Sequence, residues 1–248
     1  MKIKTGIPGL DKLLDGGVPE HSILLLSGSA GTGKTIFSLQ FLLEGIKKKE
    51  RALFITFEET EDKIRDQAAS FGWDLEKAEK QGLFKISTLT EVGIVNILQS
   101  ISQNIDSFKP QRMGIDSVTF MALSAYSLKH LVDLEKTSLA EVYEEMAERS
   151  SSSEHEDLIV RKVIVDFVKV LQKREVTTIL TSEIPRESIW LSRDTFTEFA
   201  CDGVILLKAT SIGSDLHRTL EVIKMRNIKI KGGVYSFDFE KSGIKINV

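Results

Sequence analysis

Eight consecutive residues constrain this chain more than any others: Gly28-Ser29-Ala30-Gly31-Thr32-Gly33-Lys34-Thr35. They follow the apolar run Ile23–Ser27 and give way at Ile36 to helical periodicity. GxxxxGK[ST] between a strand and a helix is the pattern of a loop that wraps a polyphosphate. Glycines at 28, 31 and 33 let the backbone close around an anion, so that successive N–H groups point inward. The helix starting near Lys34 adds the positive end of its dipole. Lys34 is suited to bridge the β- and γ-phosphates, and the Thr35 hydroxyl to coordinate Mg2+. Gly28 through Ile36 are thus the expected nucleotide-binding residues, for ATP with Mg2+.

The rest of the chain repeats the alternation of strand and helix. Short β-rich runs stand at Ile23–Ser27, Ala52–Phe57, Leu83–Ser87, Met113–Asp116, Thr177–Thr181, Gly203–Lys208 and Leu220–Met225. Several are apolar at consecutive positions, as strands buried on both faces are. Between them, Ile36, Leu39, Leu42, Leu43 and Ile46, and later Ile94, Ile97, Leu98, Ile101 and Ile105, mark amphipathic helices. This order predicts an α/β fold with a mostly parallel central sheet flanked by helices. Tyr235–Glu240 and Ile244–Val248 around Lys241-Ser242-Gly243 read as a C-terminal hairpin. With 248 residues and no internal repeat, the expectation is one domain over residues 1–248.

Asp116 closes the strand Met113–Asp116, which is less apolar than its neighbours because of Arg112 and Gly114. An acid at the C-terminal end of a strand beside the phosphate loop suits the holding of Mg2+ through a water. Thr35 and Asp116 are the expected metal partners. Hydrolysis also needs a group that orients or deprotonates water, and Glu58-Glu59 follow Phe54-Ile-Thr-Phe57 at the ligand-binding edge of the sheet. The residues alone leave a second reading open, in which both acids are N-terminal charges of a helix near Thr60–Ala69.

Charge excludes some classes of function. Lys plus Arg total 33 against 36 Asp plus Glu, a net charge of −3, which argues against coating nucleic acid or anionic membrane through bulk charge. The lone Cys201 leaves no internal disulfide and no Cys-rich metal site. Without an apolar leader or a bilayer-length apolar run, the expectation is a cytoplasmic protein with no membrane contact. One segment departs from the average. Asp133–Asp157 carries nine acidic residues against Lys136 and Arg149, a local charge of −7. Ser138-Leu-Ala-Glu141 and Ser153-Glu-His-Glu156 fit capping boxes, so a helical insertion is expected over about residues 124–157. It reads either as packing on the side of the domain or as an arm that docks a protein partner.

Taken together, Thr5-Gly-Ile-Pro-Gly-Leu-Asp11, the phosphate loop, Phe54-Ile-Thr-Phe-Glu-Glu-Thr60, Phe71-Gly-Trp73 and Ile115-Asp-Ser-Val-Thr119 resemble the KaiC-like branch of the RecA-type ATPases. Arg218-Thr-Leu-Glu221 and Lys224-Met-Arg226 extend the resemblance into the C-terminal third. It implies a RecA-like core, Mg-ATP hydrolysis, and a homo-oligomeric ring, expected to be a hexamer, with ATP at each interface. Glu58 and Glu59 are similar to the family's catalytic glutamate pair. Lys224 and Arg226 resemble the residues that one subunit lends to its neighbour's γ-phosphate, where a cation neutralises charge on the transferred group. Apart from the resemblance, they read as two basic residues on one face of an edge strand. Thr181-Ser182-Glu183 stands where a polar sensor would lie beside the phosphates. The family's clock proteins carry two such domains in tandem and this chain one. Asn227-Ile-Lys-Ile-Lys-Gly232 lacks their His-bearing pattern, so the resemblance does not carry over that contact to the nucleotide; the Ser and Thr that they autophosphorylate sit in their second domain and have no place here, so no clock role follows.

Two alternative functions remain on sequence grounds. RecA-like assemblies bind DNA through central loops, for which Pro185–Phe199 and Thr210–Arg218 are candidates, with Arg186, Trp190, Arg193, His217 and Arg218. Trp190 could stack on a base. An autokinase would instead need Ser or Thr residues near a neighbour's γ-phosphate.

Overall fold

The computed structural model describes residues 1–90, 93–120 and 153–248. The expected acidic insertion lies mostly outside the described residues, including the helix foreseen at Ser138. The helix foreseen at Ser153 is present.

The chain opens with β1 (Lys2–Ile3), α1 (Leu10–Leu13) and β2 (Val18–Pro19), followed by β3 (Ile23–Gly28), α2 (Lys34–Lys47), β4 (Ala52–Thr56), α3 (Glu61–Ser70), α4 (Leu75–Lys80), β5 (Phe84–Thr88), α5 (Ile94–Phe108) and β6 (Arg112–Asp116). Then come α6 (Ser153–Lys173), β7 (Thr177–Glu183), α7 (Thr197–Ala200), β8 (Gly203–Ile212), β9 (Asp215–Met225), β10 (Val234–Glu240) and β11 (Gly243–Ile246). β1 and β2 pair with each other, and the other nine strands form one sheet in the order β11-β10-β9-β8-β3-β7-β6-β4-β5. From β8 to β5 all pairings are parallel; from β8 to β11 they are antiparallel. The mostly parallel sheet flanked by helices is the fold read from the sequence.

The consecutive apolar residues of β3 divide between two cores. Leu24 and Leu26 join Phe54, Ile179 and Ile205 on the face covered by α2, with Phe37 and Phe41, and by Phe237 and Ile244 of the terminal hairpin. Ile23 and Leu25 join Leu53, Ile55, Met113 and Leu180 on the other face, under α5 and α6. α5 presents Ile94, Ile97, Ile101 and Ile105, all buried, at the spacing of one helix face. β6 departs from the apolar rule for identifiable reasons. A Cβ at Gly114 would come within 2.9 Å of the Phe54 ring. Arg112, with no exposed surface, donates from Nε to Glu50 and from Nη1 to the carbonyls of Lys4 and Phe41, over the Phe41 ring. A buried charge is tolerable only when paired in this way.

The topology bears on two readings. β9 lies between β8 and β10, but β10 pairs only with Thr219, Leu220 and Glu221, so at Lys224 the strand is paired with β8 alone and that end keeps its edge character. Thr210–Arg218 is not a loop, because β8 runs to Ile212 and β9 resumes at Asp215, turning over Gly213 and Ser214. Within it, the Arg218 guanidinium stacks over the Phe239 ring at 4.8 Å, so it is committed to packing. Among the described residues, no helix is long and apolar enough to cross a membrane.

Candidate functional site

β3 ends at Gly28, with β8 on one side and β7 on the other, paired at Leu207 and Glu183. The chain then turns through the glycine-rich loop and enters α2 at Lys34. Gly33, at the N-cap, has φ 99° and offers no side chain to the first-turn N–H groups of the helix. A Cβ at Gly33 would meet the Phe239 ring at 2.5 Å, so both the backbone angle and the packing require glycine. Ala30, Gly31, Gly33, Lys34, Thr35 and Ile36 line a cleft of about 460 Å3.

The remaining polar groups of the cleft arrive from other strand ends. β7 intervenes between β3 and β6, yet Asp116 reaches back across it: Thr35 Oγ1 donates to Asp116 Oδ2 at 2.6 Å. Lys34 Nζ donates to the carbonyls of Gly28 and Ser29, each at 3.0 Å. Burial pushes the Lys34 ammonium below the ordinary lysine value, while the carboxylates of Glu183, Asp116 and Glu58 draw it back up.

At the end of β4, the Thr56 hydroxyl accepts from the N–H groups of Glu58 and Glu59, which fixes the turn there. The two side chains then diverge. Glu58 Oε1 accepts from Ser117 Oγ at 2.9 Å, beside Asp116. Glu59 Oε2 accepts from Gln67 Nε2 at 2.7 Å, facing α3. Thr60 is the N-cap of α3, and the acids of its first turn are Glu61 and Asp62. Glu58 and Glu59 therefore precede the helix, and both line the cleft.

Lys224 and Arg226 are not brought to this cleft. Lys224 pairs with Val204, which pairs with Leu25, three residues short of Gly28 on β3; the Arg226 N–H bonds Asp202, whose own N–H bonds Ile23. Both thus lie toward the end of the sheet opposite the phosphate loop. Lys224 Nζ donates to the Glu198 carbonyl at 2.7 Å, and burial followed by the charge of Arg226 lowers its pKa. The Arg226 guanidinium is 51% exposed and contacts Asp202 and the Phe199 carbonyl at 3.5 and 3.3 Å.

The Thr181-Ser182-Glu183 segment spreads in three directions. Thr181 bonds Asp116, Ser182 accepts from the Arg193 N–H, and Glu183 lines the cleft. Ser117, Gln67, Phe71 and Phe239 also line the cleft; Ser117 and Phe71 stand in motifs that carry the resemblance, but none of the four was assigned a role in the site from sequence. Ser117 could have been found from its place directly after the strand-end acid; Phe239, over two hundred residues from Gly33, carried no local signal.

A family profile described as "ATPase: KaiC" matches residues 3–150 and 147–248. A UPF0273 protein of Pyrococcus furiosus is 32% identical over 260 residues, covering 98% of this chain and 92% of that protein. The circadian clock oscillator protein KaiC of Synechococcus elongatus is 33% identical over 256 residues, 99% of this chain, but the chain spans only 44% of the clock protein. The crystal structure of a KaiC-like protein from Pyrococcus horikoshii superposes with a TM-score of 0.78 at 32% identity, covering 100% of this chain and 99% of that one. With the glycine loop, the strand-end acid and the nine-stranded sheet in the same frame, the chain belongs to the KaiC family of RecA-type ATPases.

Proposed function

We propose that the chain acts as one ATPase domain that binds Mg-ATP and hydrolyses it to ADP and phosphate within a homo-oligomeric ring. The observation that supports this best is the convergence on one cleft of Lys34, the Thr35–Asp116 pair and Glu58. The metal's donor set fits. A hydroxyl and a carboxylate are hard oxygen ligands, and Mg2+ takes one or two such groups together with substrate phosphates rather than an all-protein cage. When bound, Mg2+ neutralises charge on the phosphates. The residues of the chain do the rest: loop N–H groups and Lys34 hold the polyphosphate, Glu58 accepts the water's proton, and Glu59 supports the turn. Lys224 and Arg226 complete a neighbour's site, in keeping with their place at the far end of their own sheet and with the exposure of Arg226.

Lys34→Ala tests the site. Removing hydrogen bonds from a charged group costs about 1.5–3 kcal/mol each, so ATP affinity by calorimetry is expected to fall by roughly 10²-fold or more. An unchanged affinity would sink the assignment.

A nucleic-acid-stimulated ATPase is a second reading, favoured by the exposed Ile189 and Trp190 in the loop after β7. ATPase activity that rises with single-stranded DNA, steeply lost with salt, would support it.

A further inference from the structure

Thr181 has no exposed surface, and its hydroxyl donates to Asp116 Oδ1 at 2.5 Å. The other oxygen of that carboxylate, Oδ2, accepts from Thr35. Asp116 is therefore gripped on both oxygens by hydroxyls from two different elements. The topology produces this contact. The β6–β7 ladder pairs Ile115 with Leu180 as its last rung, which leaves Asp116 and Thr181 facing each other just beyond it.

A buried hydroxyl in an apolar strand must find a partner, and β7 shows two ways of doing so. Thr178 donates to the Val176 carbonyl and Thr177 accepts from the His21 N–H, both of them backbone groups. Thr181 Oγ1 lies 3.4 Å from the Ile115 carbonyl, but its short bond goes to an ionisable side chain. It does not line the nucleotide cleft, whereas Glu183, two residues on, does. A direct contact from Thr181 to the γ-phosphate, the polar-sensor role suggested by sequence position, does not fit that placement.

We propose that Thr181 is a positioning residue that fixes the plane of the Asp116 carboxylate, so that Oδ2 stays beside Thr35, where Mg2+ is to be held. The terminal torsion of an aspartate is broad, and a carboxylate anchored through one oxygen turns freely about that bond. Anchoring both oxygens removes that freedom before the metal arrives. Outer partners of metal ligands commonly influence affinity in this way. The inference rests on the Mg-ATP reading above.

The test titrates Mn2+ into protein saturated with a non-hydrolysable ATP analogue, with free metal read by electron paramagnetic resonance. In Thr181→Val, which keeps the branched shape and loses the hydroxyl, the half-saturating Mn2+ concentration is expected to rise about tenfold. Thr181→Ser, which restores the hydroxyl, should return it to within about threefold of the parent. Analogue affinity in EDTA should be the same in all three. Should the valine variant not fold, Thr181→Ala takes its place against the serine variant. Parent-like Mn2+ binding in Thr181→Val, with binding weakened in Asp116→Asn, would overturn the proposal and leave the metal site standing. Unchanged binding in Asp116→Asn as well would overturn the metal-site reading itself. Loss of analogue affinity in EDTA would assign the hydroxyl to the phosphate loop and also overturn the proposal.

Discussion

Glu58→Gln protein is expected to bind ATP as the parent does and to turn it over about 10²–10⁴ times more slowly, the range lost when a positioned general base is removed. The amide keeps the shape of the side chain and can still accept from Ser117 through its carbonyl oxygen, but it cannot take a proton from water. Glu59→Gln is expected to be far milder. Glu59 is turned toward Gln67 and is absent from the carboxylates whose charge acts on Lys34, whereas Glu58 is among them. Single-turnover measurements with saturating ATP separate chemistry from binding. Equal losses in the two variants would mean that the glutamates act as a pair. Parent-like rates in both would leave them as turn-forming residues.

That distinction between adjacent glutamates shows where sequence reading stops. Two neighbours at a strand end point in different directions, which was predictable; which one faces Lys34 depends on Ser117, just past β6, and on Gln67 of α3. The phosphate loop was legible because its signal is contiguous: eight residues, a strand before and a helix after. The sheet's parallel character was legible in the doubly buried run of β3. Strand order was not, since the insertion of β7 between β3 and β6 is made by crossovers that leave no local trace. The same applies to the contacts of Thr181 with Asp116 and of Phe239 with Gly33. The misreading of Thr210–Arg218 has another cause. Gly213-Ser214 between Ile212 and Asp215 is a short hairpin signal, but its polar surroundings resemble a loop. That one turn extends β8 and β9 well beyond the runs identified from apolar character.

The placement of Lys224 and Arg226 leads to the second large effect. A lone subunit holds a complete binding loop, while these two cations lie at the other end of its sheet. If they complete a neighbour's site, ATPase activity per subunit should rise with protein concentration until assembly saturates. Arg226→Ala should then lower the assembled rate by about 10³-fold or more, the scale of a lost arginine finger, with nucleotide affinity of the monomer nearly intact. Its contacts make this separable from a folding defect. Arg226 is half exposed, and Asp202 and the Phe199 carbonyl bind it at distances long for hydrogen bonds, so its loss should leave thermal stability within about 1 kcal/mol. Mixing two inactive variants gives the sharper result. Lys34→Ala subunits have a dead loop and sound cations; Arg226→Ala subunits have the reverse. In head-to-tail rings assembled at random from equal amounts, about a quarter of the interfaces join a sound loop to a sound cation, so activity should return to roughly that fraction of the parent. A mixture as inactive as its components, with co-assembly shown by light scattering, would confine Arg226 to its own subunit, where its contacts give it only the task of holding α7 and Asp202 to the base of β9.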